Sequence, residues 1–296
     1  MAKTHFKAPQ PPEQYVDLHC HSTASDGSLS PTDVVRLAKA NGLAALALTD
    51  HDTIAGCAEA AAEAARQGVE FLPGIEISSE FPKPGTLHLL GYGVDMHSPV
   101  LTDLTRRLIE GRTGRNQKIV SAMQEAGIAV TLDELLAEAG GGTVGRPHLA
   151  AILVRKGYCS SVQNAFDKYL GQGGKFYFDK ETITPKRAIE MVKEAGGLAV
   201  LAHPVQLRCP DNFQLETVIK GLVDFGLDGI EIIHSDHGES QINFLSELAT
   251  RWNLLKTGGS DFHGKSKPSI KLGYAGSRRI PRALFDQLLH RLKAKV

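Results

Sequence analysis

Leu43–Thr49 reads Leu-Ala-Ala-Leu-Ala-Leu-Thr, a run of strand length with almost nothing polar in it. A strand with one wet face alternates apolar and polar residues; one that does not alternate is covered on both faces, as in a parallel sheet. The flanking chain supplies such cover. Pro31–Ala40 reads as a helix with Ser30 as its cap and Pro31 at its first position. An alanine-rich helix capped by Thr53 ends near Gly68. Tyr15–Cys20, Val69–Ser78 and Thr86–Val94 read as further strands. After Val94 the rhythm breaks. Residues from about 98 to 183 carry helical segments and the glycine break Gly140-Gly141-Gly142, with little strand character. The pattern returns at Pro185 with a helix ending at Gly196-Gly197. Strand Leu198–Ala202, helix Phe213–Phe225, strand Asp228–Ile233, helix Glu239–Arg251, strand Leu254–Gly259 and helix Pro281–Lys293 follow. Strict alternation predicts an α/β fold with a parallel sheet and right-handed crossovers. About seven such units either close into a barrel or form a doubly wound open sheet.

Composition excludes several classes. Lys+Arg and Asp+Glu number 33 each in the 296 residues, so no global field draws the chain to nucleic acid or membrane. Attraction for an anionic substrate must be local. Cys20, Cys57, Cys159 and Cys209 lie far apart with no CxxC pair, which reads as reduced thiols and a cytoplasmic protein. The tail 1–14 has no apolar stretch of signal-peptide length, and no run is long enough to span a membrane. No segment marks an obligate protein partner.

The chemistry gathers at the strand ends. The first strand leads into His19-Cys20-His21, the second into Asp50-His51-Asp52, the third delivers Glu76 and the fourth His88. The fifth ends at His203, the sixth at His234 with His237 beyond, and the seventh at Asp261-Phe262-His263. In α/β barrels the C-terminal rim of the strands is where active sites are built. Residues two apart on a strand share a face, so His19 and His21 can hold one metal, with Cys20 turned away; Asp261 and His263 can do the same. Imidazole and carboxylate donors suit Zn²⁺, Mn²⁺ or Fe²⁺, and several carboxylates favour a site with more than one ion.

Asp17-Leu18-His19-Cys20-His21-Ser22, Ser25-Asp26-Gly27, Thr49-Asp50-His51-Asp52, Gly74-Ile75-Glu76-Ile77, Ala202-His203-Pro204 and Ser260-Asp261-Phe262-His263 occur in this order. In these residues the chain resembles the PHP (polymerase and histidinol phosphatase) family, over residues 15–97 and 184–296. The resemblance implies a distorted (β/α)₇ barrel holding two or three divalent ions, Mn²⁺ foremost. It implies a first metal on His19, His21, Glu76 and Asp261, with Glu76 bridging to a second on His88 and His203. Asp26, His51 and His263 would hold a third. Residues 98–183 would then be a mainly helical insertion domain covering the site, as in small stand-alone PHP phosphoesterases.

Within that insertion, Arg146 of Gly145-Arg146-Pro147-His148 stands at a helix start, where a guanidinium and the helix dipole both favour phosphate; a surface ion pair is its plainer role. His148 either binds phosphate or packs under the insertion. Lys175 and Lys180 either face the cleft or are solvated. Of His234 and His237, one contacts the transferred phosphoryl group or protonates the leaving oxygen, and the other is structural. The resemblance implies a phosphoric monoester hydrolase. The favoured reaction removes the 3′-phosphate from nucleoside 3′,5′-bisphosphates, with Arg146, His148, Lys175, Lys180 and His237 gripping the nucleotide. A 5′→3′ exoribonuclease acting on short 5′-phosphorylated RNA, a histidinol-phosphate phosphatase and a non-catalytic nucleotide-binding module are the rivals. Neutral charge argues against long RNA.

Overall fold

The computed structural model describes residues 13–139, 144–179 and 182–295. Its sheet runs in the order β7-β6-β5-β4-β3-β2-β1-β9-β8. The strands are β1 (Tyr15–Asp17), β2 (Leu43–Leu48), β3 (Glu70–Ser79), β4 (Leu87–Tyr92), β5 (Leu198–Leu201), β6 (Gly229–Ile233), β7 (Leu255–Gly258), β8 (Tyr274–Ala275) and β9 (Arg278–Pro281). Beyond β1 and β7 the chain continues extended, and the two continuations meet: Cys20 bridges Phe262 in parallel, His21 N–H donates to Phe262 O at 2.9 Å and Asp261 N–H donates to His19 O at 2.9 Å. The sheet thereby nearly closes into a distorted barrel, and this seam brings Asp261 and His263 beside His19 and His21.

Helices α1 (Pro31–Ala40) and α2 (Cys57–Gln67) cover β2, as its apolar sequence requires. Ser30 caps α1 by accepting from Asp33 N–H at 3.1 Å. The expected cap of α2 is corrected: Thr53 Oγ accepts from Ala55 N–H in a turn, and the helix begins only after Gly56. The later helices are α7 (Pro185–Glu194), α8 (Asn212–Asp224), α9 (Glu239–Arg251) and α10 (Arg282–Lys293), the last packing on residues of β1 and β2 such as Val16 and Ala45.

The sheet departs from the expected all-parallel arrangement at β4, which pairs antiparallel with both β3 and β5. No helix lies between β3 and β4, and so short a link cannot return the chain for parallel pairing. The small hairpin β8–β9, which pairs with β1, also lies outside the strand–helix pattern.

Between β4 and α7 the chain forms α3 (Pro99–Glu125), α4 (Leu132–Glu138), α5 (Arg146–Arg155) and α6 (Val162–Ala165). Helix α3 serves two cores. Leu101, Leu104 and Leu108 pack with barrel residues such as Ile77, Leu89 and Val192, whereas Ile119, Val120 and Met123 pack with Leu149, Leu153 and Phe176. Arg112, Arg115 and Asn116 are buried between these two apolar stretches. All four cysteines are free thiols, and no described helix is long and apolar enough to cross a membrane.

Candidate metal centre

All nine residues expected as metal ligands gather in one side-chain cluster at the barrel rim. The centre of the cluster is Glu76, with no exposed surface. Its Oε1 lies 2.9 Å from His88 Nδ1 and 2.9 Å from His203 Nε2. Its Oε2 lies 2.8 Å from His51 Nδ1, 3.3 Å from His21 Nε2 and 3.4 Å from His19 Nε2. One carboxylate thus faces two separate sets of imidazoles. Asp261 Oδ1 is 3.3 Å from His21 Nε2 and 3.6 Å from His19 Nε2. Asp26 Oδ1 is 3.2 Å from His263 Nε2, and its Oδ2 is 3.9 Å from His51 Nε2.

His88 reaches the rim for a reason other than the one expected. It is the second residue of β4, not its end. Because β4 runs antiparallel, its beginning lies on the rim where the parallel strands finish. Glu76 likewise sits within β3, which overruns the rim, and His51 bridges it from the neighbouring chain.

Several of these donors are oriented by hydrogen bonds behind them. His19 Nδ1 faces Glu231 Oε1 at 3.1 Å, while Glu231 Oε2 accepts from His203 N–H at 2.8 Å. His263 Nδ1 donates to Asp261 O at 2.8 Å, which leaves Nε2 as the lone-pair nitrogen facing Asp26. The aspartates beside the histidines hold backbone. Asp17 accepts from the N–H groups of His19, Ser260 and Gly273. Asp50 accepts from Ser22 N–H and from the hydroxyls of Ser22 and Ser25, fixing the loop that carries Asp26. Asp52 accepts from Ser78 N–H and pairs with Arg112 Nη2 at 2.5 Å. Asp52, His203 and Asp261 have positive φ of 58°, 24° and 60°, strain of the kind that concentrates at functional sites. Gly259 is required by close approach: a Cβ there would lie 2.1 Å from His19 Cβ.

The donor set fits divalent cations. His19 Nε2, both ring nitrogens of His21, His203 Nδ1 and Glu76 Oε2 are buried and make no hydrogen bond among the described residues. Burial would raise the Glu76 carboxyl, but His51, His88 and His19 outweigh it and hold it well below the usual range. Burial, with His263 and His51 adding to it, pushes His21 down to about 3; burial likewise takes His88 to about 4 against the pull of Glu76. Neutral imidazoles and ionised carboxylates are the forms that bind metal. Four-donor and three-donor groups follow: His21, Asp26, His51 and His263; His19, His21 and Asp261; His19, Glu76 and His203; His51, Glu76 and His88; and His19, Glu231 and His234.

The remaining expected residues fall around this cluster. His234 is buried with Nε2 3.6 Å from Asp261 Oδ2, and its Nδ1 accepts from Asp236 N–H, so in the neutral ring Nε2 carries the proton. His237 Nδ1 donates to Ile232 O at 3.0 Å, and burial pushes its imidazole down to about 4. Its Nε2 is then an acceptor. Arg146 lines a cavity of about 360 Å³ with Phe81, Lys83, Tyr177 and the ligand-set histidine His88. His148 Nδ1 accepts from Gly145 N–H at 3.0 Å, which leaves Nε2–H as a donor. Lys175 is exposed, lies over the Phe176 ring and does not line that cavity. Lys180 lies outside the described residues.

Sequence reasoning missed Glu231 and Lys267. Glu231 is a lone carboxylate inside the apolar strand Gly-Ile-Glu-Ile-Ile, and that misfit was the available signal. Lys267 Nζ lies 2.6 Å from Asp261 Oδ2, an arrangement set by loop geometry with no sequence signature.

Comparison with known proteins decides the family. The PHP domain profile matches residues 17–182. The chain belongs to the PHP family. Relatives of this PHP chain carry different activities. A 5′-3′ exoribonuclease of Haemophilus influenzae is 40% identical over 250 residues, covering 83% of this chain and 89% of the relative. A 3′,5′-nucleoside bisphosphate phosphatase of Chromobacterium violaceum is 35% identical over 260 residues, covering 88% and 90%. A phosphoribosyl 1,2-cyclic phosphate 1,2-diphosphodiesterase of Eggerthella lenta is 38% identical over 252 residues, covering 84% and 94%. Among solved structures, a Bifidobacterium adolescentis protein described as a metal-dependent phosphoesterase superimposes with TM-score 0.83 at 31% identity, covering 95% of this chain and 98% of that one.

Proposed function

We propose that this PHP chain is a cytoplasmic, metal-dependent phosphoesterase that removes the 3′-phosphate from nucleoside 3′,5′-bisphosphates, using two or three divalent ions with Mn²⁺ preferred. The reading is carried by one juxtaposition. A cavity of about 360 Å³, of a size for one nucleotide, opens beside His88 of the metal cluster and is walled by Phe81 and Tyr177, with Arg146 at its side. The names of the Chromobacterium and Haemophilus relatives support a nucleotide substrate.

The ions would sit on His19, His21, Glu76 and Asp261, on Glu76, His88 and His203, and on Asp26, His51 and His263. Bound divalent ions supply a Lewis acid for phosphoryl oxygens and lower the pKa of water. The protein's own groups do the rest. Glu76 holds the two imidazole sets at fixed separation. His234 Nε2–H donates to a phosphoryl or leaving oxygen near Asp261, while His237 accepts through Nε2 and positions rather than protonates. His148 Nε2–H and Arg146 hold the nucleotide, and the helical segment 98–183 forms the domain that covers the cleft and limits water. Lys175 lies outside the nucleotide cavity and takes no part in this reading.

A short RNA with a 5′-phosphate uses the same chemistry, and the Haemophilus relative favours it. The test is phosphate and nucleotide release by the Mn²⁺-loaded protein from four substrates: a nucleoside 3′,5′-bisphosphate, a 5′-monophosphate, histidinol phosphate and a short 5′-phosphorylated RNA. The bisphosphate is expected to give the highest kcat/KM. Release of mononucleotides from RNA at a higher kcat/KM replaces the phosphatase with the exonuclease, and no release from any of the four ends both.

A further inference from the structure

The nucleotide-sized cavity has two walls of different origin. One is the β3–β4 hairpin of the barrel. Ser78 pairs with His88 and Ser79 with Leu87, so the loop 80–86 runs on beyond the strand ends with Lys83 at its middle. This wall therefore starts at His88 of the ligand set and ends at Lys83, and both residues line the cavity. It is fixed from behind. Thr86 N–H donates to Gln206 O at 3.0 Å, and Gly85 comes so close to Leu207 O that no Cβ fits there. The other wall consists of Arg146, Tyr177 and Asp179, which lie in the chain between β4 and α7.

The walls meet at Lys83. Its ammonium pairs with Asp179 Oδ1 and lies 4.3 Å from the centre of the Tyr177 ring. Tyr177 OH donates to the same carboxylate oxygen at 2.5 Å, and the Arg146 guanidinium lies 5.1 Å from the ring centre. Ammonium, ring and carboxylate thus join the barrel to the helical segment at the hairpin tip, away from the metal cluster. The side chains of Lys83 and Asp179 are 36% and 69% exposed, so water screens the pair and it parts readily. The end of the cavity is closed, but by a contact that yields.

We infer that the contact of Lys83 with Asp179 and Tyr177 makes the site selective for a chain end, closing the cavity behind one nucleotide and holding back substrates that continue beyond its 5′ side. This rests on the reading of that cavity as the nucleotide site. With the 3′-phosphate at the ions, the sugar and the 5′-phosphate extend along the hairpin from His88 toward Lys83. A nucleoside 3′,5′-bisphosphate ends there and needs no exit. A nucleotide with another joined to its 5′ oxygen does need one, and passing the extra residue out means parting Lys83 from Asp179. Discrimination of this kind comes from an obstacle to the wrong substrate and not from added grip on the right one.

The experiment uses the Mn²⁺-loaded full chain as wild type, as Asp179→Ala, as Lys83→Ala and as the exchanged pair Lys83→Asp with Asp179→Lys. Phosphate release is measured from a nucleoside 3′,5′-bisphosphate and from a dinucleotide with a 3′-phosphate. A short 5′-phosphorylated RNA is assayed beside them for the length of the first product. Wild type is expected to favour the bisphosphate. Both alanine variants are expected to raise kcat/KM on the dinucleotide relative to the bisphosphate about 2–5-fold, the worth of an exposed ion pair. The exchanged pair is expected to return that ratio to the wild-type value, which sets misfolding aside as the cause. An unchanged ratio in both alanine variants, or a rise that the exchange does not reverse, overturns the inference and leaves the phosphatase reading intact. A protein that releases no phosphate from the bisphosphate, but frees mononucleotides from RNA as wild type and dinucleotides only as the alanine variants, supports the contact and overturns the phosphatase reading instead. A protein that acts on none of the substrates overturns both.

Discussion

Glu231 does most of its work through another residue. Its two oxygens are both engaged, one by His19 Nδ1 and one by the backbone N–H of His203, so it fixes two members of the ligand set at once. With Nδ1 committed to Glu231, Nε2 is the nitrogen that faces Glu76 and Asp261, and a cation binding there takes the place of its proton. Glu231→Gln keeps the shape and removes the charge. It is expected to weaken metal binding about 10–100-fold, measured as metal per chain against free metal, with folding retained. Glu76→Gln is expected to go further and strip metal from both imidazole sets, since each of its oxygens serves a different one. The histidines of this site were legible in the sequence because a histidine at a strand end is conspicuous among Leu, Ile and Ala. Glu231 was not, because it lies inside a strand whose other positions are apolar, and only the direction of its side chain makes it part of the site. Lys267 was invisible for a different reason. It reaches Asp261 by the path of a loop, and loop paths have no periodicity to read.

The elements around the site show how much a connection decides. Parallel strands need a crossover, and where the chain between β3 and β4 offers none, β4 turns back and presents His88 from its beginning. The alternation of strand and helix was legible from the doubly apolar β2, and the start of α1 from its Ser30 cap, whereas the cap expected at Thr53 belongs to a turn before α2. The reversal of β4 was not legible, because a strand's own sequence does not encode its direction. Helix α3 poses another problem: the sequence showed it only as part of a helical stretch from about 98 to 183, and its middle belongs to neither core. What anchors that middle is the Arg112–Asp52 pair, one residue from His51. Arg112→Met breaks a buried pair and leaves Asp52 charged without it. The expected loss is about 3–5 kcal/mol in chemical denaturation, the usual result of removing one partner from a buried ion pair. The double variant Arg112→Met with Asp52→Asn is expected to recover part of that loss.

At the scale of the whole molecule, the barrel concentrates acids and imidazoles in one place, and its stability must depend on what neutralises them. His21, His88 and His237 are held neutral in the fold, their imidazoles pushed down to about 3, 4 and 4 chiefly by burial. In the unfolded chain a histidine takes its proton near pH 6.5. Between about pH 6.5 and 4 the unfolded state therefore binds more protons than the native state, and stability falls as pH falls, by about 1.4 kcal/mol per pH unit for each such histidine. His19 acts in the other direction. Burial would lower it, but Glu231 and Glu76 together raise it well above the usual value, so its contribution is full below pH 6.5 and fades as pH rises through its folded value. The metal-free protein is expected to be most stable near neutrality and to lose stability steeply on acidification. His237→Gln removes one of the three neutral imidazoles without touching the expected ligand set, and should flatten that acid limb by about one proton's worth of slope. Cations bind the same neutral nitrogens that acid would protonate, so they should deepen the contrast. With Mn²⁺ at a hundred times its dissociation constant, the fold gains about 2.7 kcal/mol over the chelator-treated protein. The gap in Tm between Mn²⁺ and chelator should be wide at pH 7.5 and narrow at pH 5.5, because protons displace the metal from imidazole. Equal gaps at the two pH values would mean that the histidines of the rim do not hold the ions.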